Sequence, residues 1–161
     1  MPILEIIPFE KQYAKNFYAL NMEWLETYFY VEPFDEEVLS NPETYIINKG
    51  GHIFFIRIKH KIVGTVALMP TPNKKVLELT KMAVSPELRG QNMGQKLMQY
   101  CIEFARKENI KQLLLYSNTK LVNAIYIYRK FGFVEIPVET NSPYKRGNIK
   151  MILDLWFRLL L

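Results

Sequence analysis

Hydrophobic positions along the chain occur either in short apolar runs or in longer segments with helical spacing. Apolar runs bounded by turn residues indicate β-strands, whereas apolar positions three and four residues apart indicate helices. The predicted strands are 3–7, 53–58, 61–68, 77–84, 113–116, 133–136 and 149–155. The predicted helices are 10–28, 35–39, 93–109 and one that ends at Lys130.

The predicted helices have identifiable faces or ends. A break at Pro33 precedes the second helix, which Asp35 is expected to cap, and Gly132 is expected to close the last helix. The apolar face of the first helix is Tyr13, Phe17, Leu20, Trp24 and Tyr28. The buried stripe of the third helix is Leu97, Met98, Cys101, Ile102 and Ala105.

The order of these elements predicts an α/β fold with a mixed central sheet of about seven strands and about four helices. Strands joined by tight turns should pair antiparallel, and the two strand–helix–strand crossovers predict parallel pairs. The sequence contains neither a linker nor an internal repeat, so residues 1–161 are predicted to form a single domain.

Composition narrows the class of protein. Of the 161 residues, 49% are hydrophobic, which is enough for a real core. One cysteine excludes a disulfide framework, and two histidines beside it are a poor set of metal ligands, so no metal is expected. The net charge of +5 is spread along the chain, and nucleic-acid binding is not expected. No apolar run approaches the roughly 20 residues that span a bilayer, and the sequence begins without a basic signal region. These features predict a cytoplasmic protein with no membrane partner.

The segment from Leu77 to Leu97 carries the strongest chemical signal. Its strand is stopped by Ser85-Pro86, and a loop with Arg89, Gly90 and Gly94 then runs directly into a helix. Free N–H groups and the positive end of the helix dipole predict an anion site there. The loop lacks both the P-loop pattern and the dinucleotide fingerprint.

Two motifs resemble those of the GNAT acetyltransferases. Val84 to Gly94 resembles the acyl-CoA-binding segment V-x-P-x-x-R-G-x-G-x-G, with Asn92 where the family usually has glycine. Asparagine tolerates the left-handed conformation, so the loop is still expected to close. Asn123 to Phe133 resembles A-x-x-L-Y-x-K-x-G-F, with Ile127 for the usual leucine. The two motifs stand in the family's order, and the predicted elements match its fold over nearly the whole chain.

The resemblance implies an acetyl-CoA-dependent transfer to an amine, directly and without a metal. It places the pantetheine arm on a bulged strand, against the amides of Met82, Ala83 and Val84. The residues implied for the pyrophosphate are Arg89, Gly90, Gln91, Asn92, Met93, Gly94 and Gln95.

The resemblance also implies catalytic roles. Tyr128 is expected to protonate the leaving thiolate, and Tyr126 is interpreted as a packing residue. Glu78 is either the general base or a polar residue on a strand face. The family's pantetheine-binding asparagine is replaced by Leu121, so Asn118 is the first substitute and Asn123 the second.

The acceptor is predicted from a run of six acids between Glu23 and Glu37 that contains no lysine or arginine. Aromatic residues interleave with these acids, a combination that suits a small cationic amine acceptor. The alternative is a solvated helix face whose acids only support solubility. Two other functions remain open. One is a CoA-binding module without catalysis, against which Tyr128 argues. The other is a structural protein that assembles, for example as a homodimer, through the apolar segment Trp156 to Leu161.

Overall fold

A computed structural model of the chain describes residues 2–142 and 144–155, so Trp156 to Leu161 lie outside the described residues. Within these ranges seven strands form one sheet, and five α-helices pack around it. The strands are β1 (Leu4–Pro8), β2 (His52–Ile58), β3 (Lys61–Pro70), β4 (Val76–Val84), β5 (Gln112–Ser117), β6 (Val134–Ile136) and β7 (Ile149–Asp154). The helices are α1 (Ala14–Tyr28), α2 (Pro33–Ser40), α3 (Pro42–Tyr45), α4 (Met93–Lys107) and α5 (Val122–Lys130). In the described part of the chain no helix is both long and apolar enough to cross a membrane.

The sheet is mixed, in the order β1-β2-β3-β4-β5-β7-β6, which confirms the predicted α/β class. The β4–β5 pair is parallel and the other pairs are antiparallel. The prediction that both helix crossovers give parallel pairs was therefore wrong for β5-α5-β6. Strand β7 lies between β5 and β6 and pairs antiparallel with each of them.

Two apolar cores cover the two faces of the sheet. Helix α4 packs on one face with the predicted stripe from Leu97 to Ala105, whose five members are all buried. Helices α1 and α2 cover the other face with Phe17, Leu25, Val38 and Leu39. Gly132 follows α5 with a φ of +104°, a left-handed conformation that suits the predicted glycine cap.

The buried face of α1 differs from the prediction. Its buried residues are Phe17, Asn21 and Leu25, whereas Trp24 is only partly buried and Tyr28 is 39% exposed. Asn21 can be buried because its side-chain amide donates to the carbonyl of Phe17 at 3.0 Å. Trp24 and Tyr28 instead line a cavity beside the sheet.

Helix α2 begins two residues earlier than predicted, and its cap is Glu32. Pro33 occupies the first helical position, where its missing N–H has no consequence, so it starts the helix and does not break the chain. Glu32 and Asp35 form a capping box, in which the Glu32 N–H donates to the Asp35 carboxylate at 2.9 Å.

A bulge interrupts β4 in the middle of the sheet. Thr65 pairs with Ala83 and Ala67 pairs with Thr80, so Lys81 and Met82 together face one residue of β3. Lys81 has a φ of +56°, an uncommon value for a residue with a side chain. Lys81 then contacts Asp35 and Phe34 of α2, although Leu77 and Leu79 of the same strand pack on the α4 side.

A buried ion cluster joins α2, the bulge and the loop before β7. The Lys81 Nζ lies 3.4 Å from Asp35, and the Arg146 guanidinium donates to both oxygens of Asp35 at 2.6 and 2.8 Å. Arg146 also donates to Glu32 at 2.8 Å. The Asp35 side chain is completely buried. Burial alone would raise the pKa of Asp35, but hydrogen bonds from Arg146 and the Glu32 backbone bring that pKa below its usual value.

We expect Asp35→Asn to lower the free energy of unfolding by about 3 kcal/mol, because it leaves two buried cations without their shared carboxylate. Urea unfolding measures this change. The control is Glu43→Gln, which removes an exposed carboxylate 4.0 Å from Lys11 and should change the unfolding free energy by less than about 1 kcal/mol. Equal effects of the two substitutions would contradict a structural role for the cluster.

The wild type and Asp35→Asn also test how the free energy of unfolding depends on pH. Because the folded-state pKa of Asp35 is lowered, its stabilising contribution is present above the unfolded pKa and is lost as the pH falls. The difference in unfolding free energy between the wild type and Asp35→Asn should therefore be full above about pH 4 and shrink below it. A difference that grows on acidification would contradict this assignment.

Candidate active site

The candidate site is a cavity that opens where β4 and β5 separate. The two strands pair only from Val76 to Glu78, opposite 112–114 of β5. Beyond this point both strands line a cavity of about 880 Å³. Its walls also include the end of α1, the loop before α4, and the first turns of α5. A volume of this size lies within the range of ligand-binding cavities.

The loop before α4 forms one end of the cavity. Gly90 has a φ of +80° and Asn92 a φ of +65°, so Asn92 does adopt the left-handed conformation predicted for it. Helix α4 begins at Met93, and its first N–H groups have no acceptor within the helix. Its first turn contains no acidic residue that would occupy the positive end of the dipole. This end of the cavity can therefore bind an anion.

Arg89 lies in the same loop and contacts α1. Its guanidinium forms an ion pair with Glu23 and lies 5.3 Å from the centre of the Tyr28 ring. The Arg89 Nε is buried and makes no hydrogen bond within the described residues. A buried donor without an acceptor is unusual, and a ligand oxygen would supply one.

Most of the residues predicted to bind the cofactor line this one cavity. Gln91 and Glu78 are not among the lining residues. The predicted residues that do line it are Met82, Ala83, Val84, Arg89, Gly90, Asn92, Met93, Gly94, Gln95, Asn118, Asn123 and Tyr128.

The two candidate asparagines differ in their surroundings. The Asn118 amide donates to the carbonyl of Arg146 at 2.7 Å, and its oxygen accepts from the Lys120 N–H at 2.9 Å. Asn118 therefore fixes the loop that carries Arg146. Asn123 is exposed at the start of α5.

Tyr128 presents a protonated phenol to the cavity. Burial raises the pKa of Tyr128 above its usual value, and a hydrogen bond with the Ser117 side chain opposes that rise. The Tyr128 ring lies 6.1 Å from the ring of Phe133, which is buried. Tyr126 is 69% exposed at the mouth of the cavity, so its interpretation as a packing residue was wrong.

Glu78 lies at the last β4–β5 pair and reaches the cavity through another residue. Its carboxylate accepts a hydrogen bond from the Tyr144 hydroxyl at 3.3 Å, and Tyr144 lines the cavity. Burial raises the pKa of Glu78, and the charge of Lys81 and the Tyr144 hydroxyl oppose that rise. A raised pKa brings a carboxylate closer to the range of a general base at neutral pH.

Among the cavity residues that were absent from the sequence-based set, three are charged or titratable and contact one another: Lys81, Tyr144 and Arg146. The Lys81 Nζ lies 3.4 Å from the Tyr144 hydroxyl and 4.7 Å from the centre of its ring. Lys81 could have been found, because strand alternation places this charge in phase with Leu77 and Leu79. Tyr144 and Arg146 lie in a polar loop without hydrophobic periodicity or a motif, so no pattern in the sequence pointed to them.

The absence of lysine and arginine between Glu23 and Glu37 does not leave the whole run without charge partners, because three of its six acids form ion pairs with distant cations. Two others accept hydrogen bonds from tyrosines. Glu23 pairs with Arg89, Glu32 and Asp35 pair with Arg146, Tyr18 donates to Glu36, and Tyr45 donates to Glu37. In the described parts of the chain no group of three or more His, Cys, Asp or Glu side chains is placed to hold a metal.

Comparisons with known proteins bear on the family of this chain. The family model described as "Acetyltransferase (GNAT) family" matches residues 16–133. Rat N-acetyltransferase 8B is 27% identical over 95 residues, which are 56% of this chain and 43% of that protein. N-acetylaspartate synthetase of Xenopus tropicalis is 27% identical over 122 residues, 75% of this chain and 45% of that protein. The chain thus spans less than half the length of these two relatives.

Solved structures show the same fold. An acetyltransferase of the GNAT family from Staphylococcus aureus Mu50 superposes with a TM-score of 0.84 at 24% identity, covering 95% of this chain and 99% of that one. An acetyltransferase from Streptococcus agalactiae gives a TM-score of 0.80 at 21% identity, covering 94% and 98%. With the family model matched over most of the chain, this protein belongs to the GNAT acetyltransferase family.

Proposed function

We propose that this chain transfers an acetyl group from acetyl-CoA to a primary amine. The observation that carries the proposal is one cavity that joins an anion-binding helix end, the stretch of β4 that has separated from β5, and the Tyr128 phenol. The GNAT family generally uses acetyl-CoA as its acetyl donor. Both named relatives are described as enzymes that acetylate nitrogen.

The cavity offers binding groups for two parts of acetyl-CoA, the pyrophosphate and the pantetheine arm. The N-terminus of α4 and the buried Arg89 Nε offer donors for a pyrophosphate. Beyond Glu78 the backbone of β4 no longer pairs with β5 and can pair with an extended pantetheine arm. Met82, Ala83 and Val84 supply the amides there.

Acetyl-CoA supplies the acetyl group as an activated thioester. An N–H group at the bulge donates to the thioester carbonyl oxygen and stabilises the negative charge that develops on it. The amine nitrogen forms a bond to the acetyl carbon as the carbon–sulfur bond breaks. Tyr128 gives its phenolic proton to the sulfur, and its raised pKa keeps that proton in place at neutral pH.

Glu78 accepts the proton that the amine loses. Because the Tyr144 hydroxyl lies between Glu78 and the cavity, the amine proton passes to the Tyr144 oxygen as the Tyr144 proton passes to Glu78. Solvent later restores the proton of Tyr128 and removes the one on Glu78. The raised pKa of Glu78 and its contact with Tyr144 support this role.

The acceptor is a primary amine in this proposal. A small cationic amine was predicted from the acidic run, but the acids of that run have partners elsewhere in the chain. We therefore keep cationic amines only as members of an acceptor panel. Release of CoA thiol in the presence of acetyl-CoA and each amine tests the function, and the absence of release with every amine would overturn it. Binding of acetyl-CoA without turnover would instead favour a non-catalytic CoA-binding module.

We expect Gly94→Glu to abolish acetyl-CoA binding, because it places a negative charge at the helix end where the pyrophosphate binds. The control is Gly94→Ala, whose added carbon would lie 3.4 Å from the Met82 sulfur, an ordinary contact. Acetyl-CoA at 100 times its Kd should stabilise the wild type by about 2.7 kcal/mol in a thermal-shift assay. Gly94→Ala should keep most of that stabilisation, and an equal stabilisation of Gly94→Glu would place the pyrophosphate elsewhere.

We expect Tyr128→Phe to lower kcat by about 10²- to 10⁴-fold with little change in the KM for acetyl-CoA, because only the proton donor is lost. The matched control is Tyr126→Phe, which removes the same atom from an exposed side chain on the same helix. Its kcat should stay within about twofold of the wild type. If both variants keep the wild-type rate, another group or water protonates the thiolate.

A further inference from the structure

The charged side chains that line the cavity are all cationic in the part of the chain that the structure describes. No aspartate or glutamate belongs to this described lining. The cations are Lys81, Arg89, Lys120 and Arg146.

Two of these cations are assigned to other tasks. Arg89 belongs to the anion-binding loop and pairs with Glu23. The Lys120 Nζ donates to the carbonyl of Tyr28 at 2.8 Å and lies 4.0 Å from the centre of the Phe29 ring. The two that remain, Lys81 and Arg146, both contact Tyr144.

The acids that compensate Lys81 and Arg146 lie behind them. Asp35 is completely buried, Glu32 is 7% exposed, and neither lines the cavity. A third acid, Glu78, is bonded to Tyr144 and interacts with the charge of Lys81, and it does not line the cavity either. The charged side chains that line this part of the cavity are therefore Lys81 and Arg146.

Both cations retain N–H groups that no protein acceptor uses. The Lys81 ammonium has three N–H donors, and the described residues accept two, through Asp35 and Tyr144. The Arg146 guanidinium has five, and the described residues accept three, through Glu32 and both oxygens of Asp35. One donor of Lys81 and two of Arg146 therefore have no protein acceptor among the described residues. The Arg146 side chain is the more exposed of the two, at 14% against 4% for Lys81. Burial lowers the pKa of Lys81, and the charges of Asp35 and Glu78 oppose that fall.

We propose that the acceptor is an amine that carries a carboxylate beside its reacting nitrogen, and that Lys81 and Arg146 bind this carboxylate. The proposal rests on the acetyl transfer proposed above. Lys81 directly precedes Met82, so the cationic wall adjoins the amides assigned to the thioester. A carboxylate held there would leave its neighbouring amine close to the acetyl carbon and to Tyr144.

The cavity wall formed by Lys81 and Arg146 should bind a carboxylate much more tightly than the uncharged carboxamide. Charge-assisted hydrogen bonds to a carboxylate are shorter and stronger than those to a carboxamide. A site built around such bonds rejects an analogue that leaves its buried donors unpaired. The carboxamide also has the lower amine pKa, so amine chemistry alone would favour it. A preference for the carboxylate would therefore come from the protein.

The experiment compares matched acceptors on the wild-type protein by thiol release. For each of three carbon skeletons, the amino acid is compared with its amide and with its decarboxylated amine. The first set is alanine, alaninamide and ethylamine, and the other two sets derive from aspartate and phenylalanine. Spermidine serves as a cationic competitor. For the best skeleton we expect kcat/KM for the acid to exceed that for its amide by at least tenfold, or about 1.4 kcal/mol. Higher kcat/KM for amides, decarboxylated amines or spermidine would overturn the carboxylate proposal while leaving acetyl transfer intact. Absence of thiol release with every amine would overturn both.

Substitutions of Lys81 test whether this residue causes the preference for the carboxylate. Lys81→Met leaves Asp35 paired with Arg146 and should raise the KM of the acid at least tenfold, with a smaller change for the amide, so that the ratio of acid to amide falls. The control is Lys120→Met, which removes another cavity cation and should keep the ratio. Urea unfolding shows whether Lys81→Met is folded, and Lys81→Arg provides a second variant that keeps the charge and should keep the preference. An unchanged ratio in folded Lys81→Met would remove Lys81 from the proposal.

Discussion

The ion pair between Lys81 and Asp35 holds the bulge on which the candidate site depends. A lysine with positive φ in the middle of a strand costs on the order of 1 kcal/mol or more and persists only where its surroundings fix it. Without the bulge, alternation would direct Lys81 to the α4 side, into an apolar core. The bulge turns the side chain toward α2, where Asp35 is buried and already bonded to Arg146. The same irregularity lies in the segment of β4 that has separated from β5.

Acids of α1 and α2 anchor both ends of the cavity. Glu23 binds Arg89 beside the anion-binding loop, and Glu32 binds Arg146 at the opposite end. These carboxylates therefore orient cations that line the cavity and do not themselves face it. The acidic run of the sequence thus contains three acids, Glu23, Glu32 and Asp35, whose partners are cations that line the cavity.

The sequence predicted the parts of the fold that depend on local chemistry. The α4 stripe from Leu97 to Ala105 follows from periodicity, and the structure agrees. The left-handed Asn92 follows from the motif resemblance together with the backbone preference of asparagine, and the structure agrees with this as well. The sequence did not predict features that depend on contacts between distant segments of the chain. Asp35 and Lys81 are 46 residues apart, and Tyr144 meets Glu78 across 66 residues. The sequence likewise did not predict that β7 lies between β5 and β6, because the pattern of a single strand does not reveal which strands are its neighbours.

Stability alone does not explain a buried cluster of charges at a cavity wall. Apolar side chains of similar volume would often stabilise such a contact as well or better, since burying ions carries a desolvation penalty. Here the cluster also controls a neighbouring carboxyl group: the Lys81 charge opposes the rise that burial produces in the pKa of Glu78. Lys81 thus connects acceptor binding with proton acceptance in the proposed mechanism. A carboxylate bound by Lys81 would weaken this opposition and raise the pKa of Glu78, so binding of an acidic acceptor would itself make the base stronger.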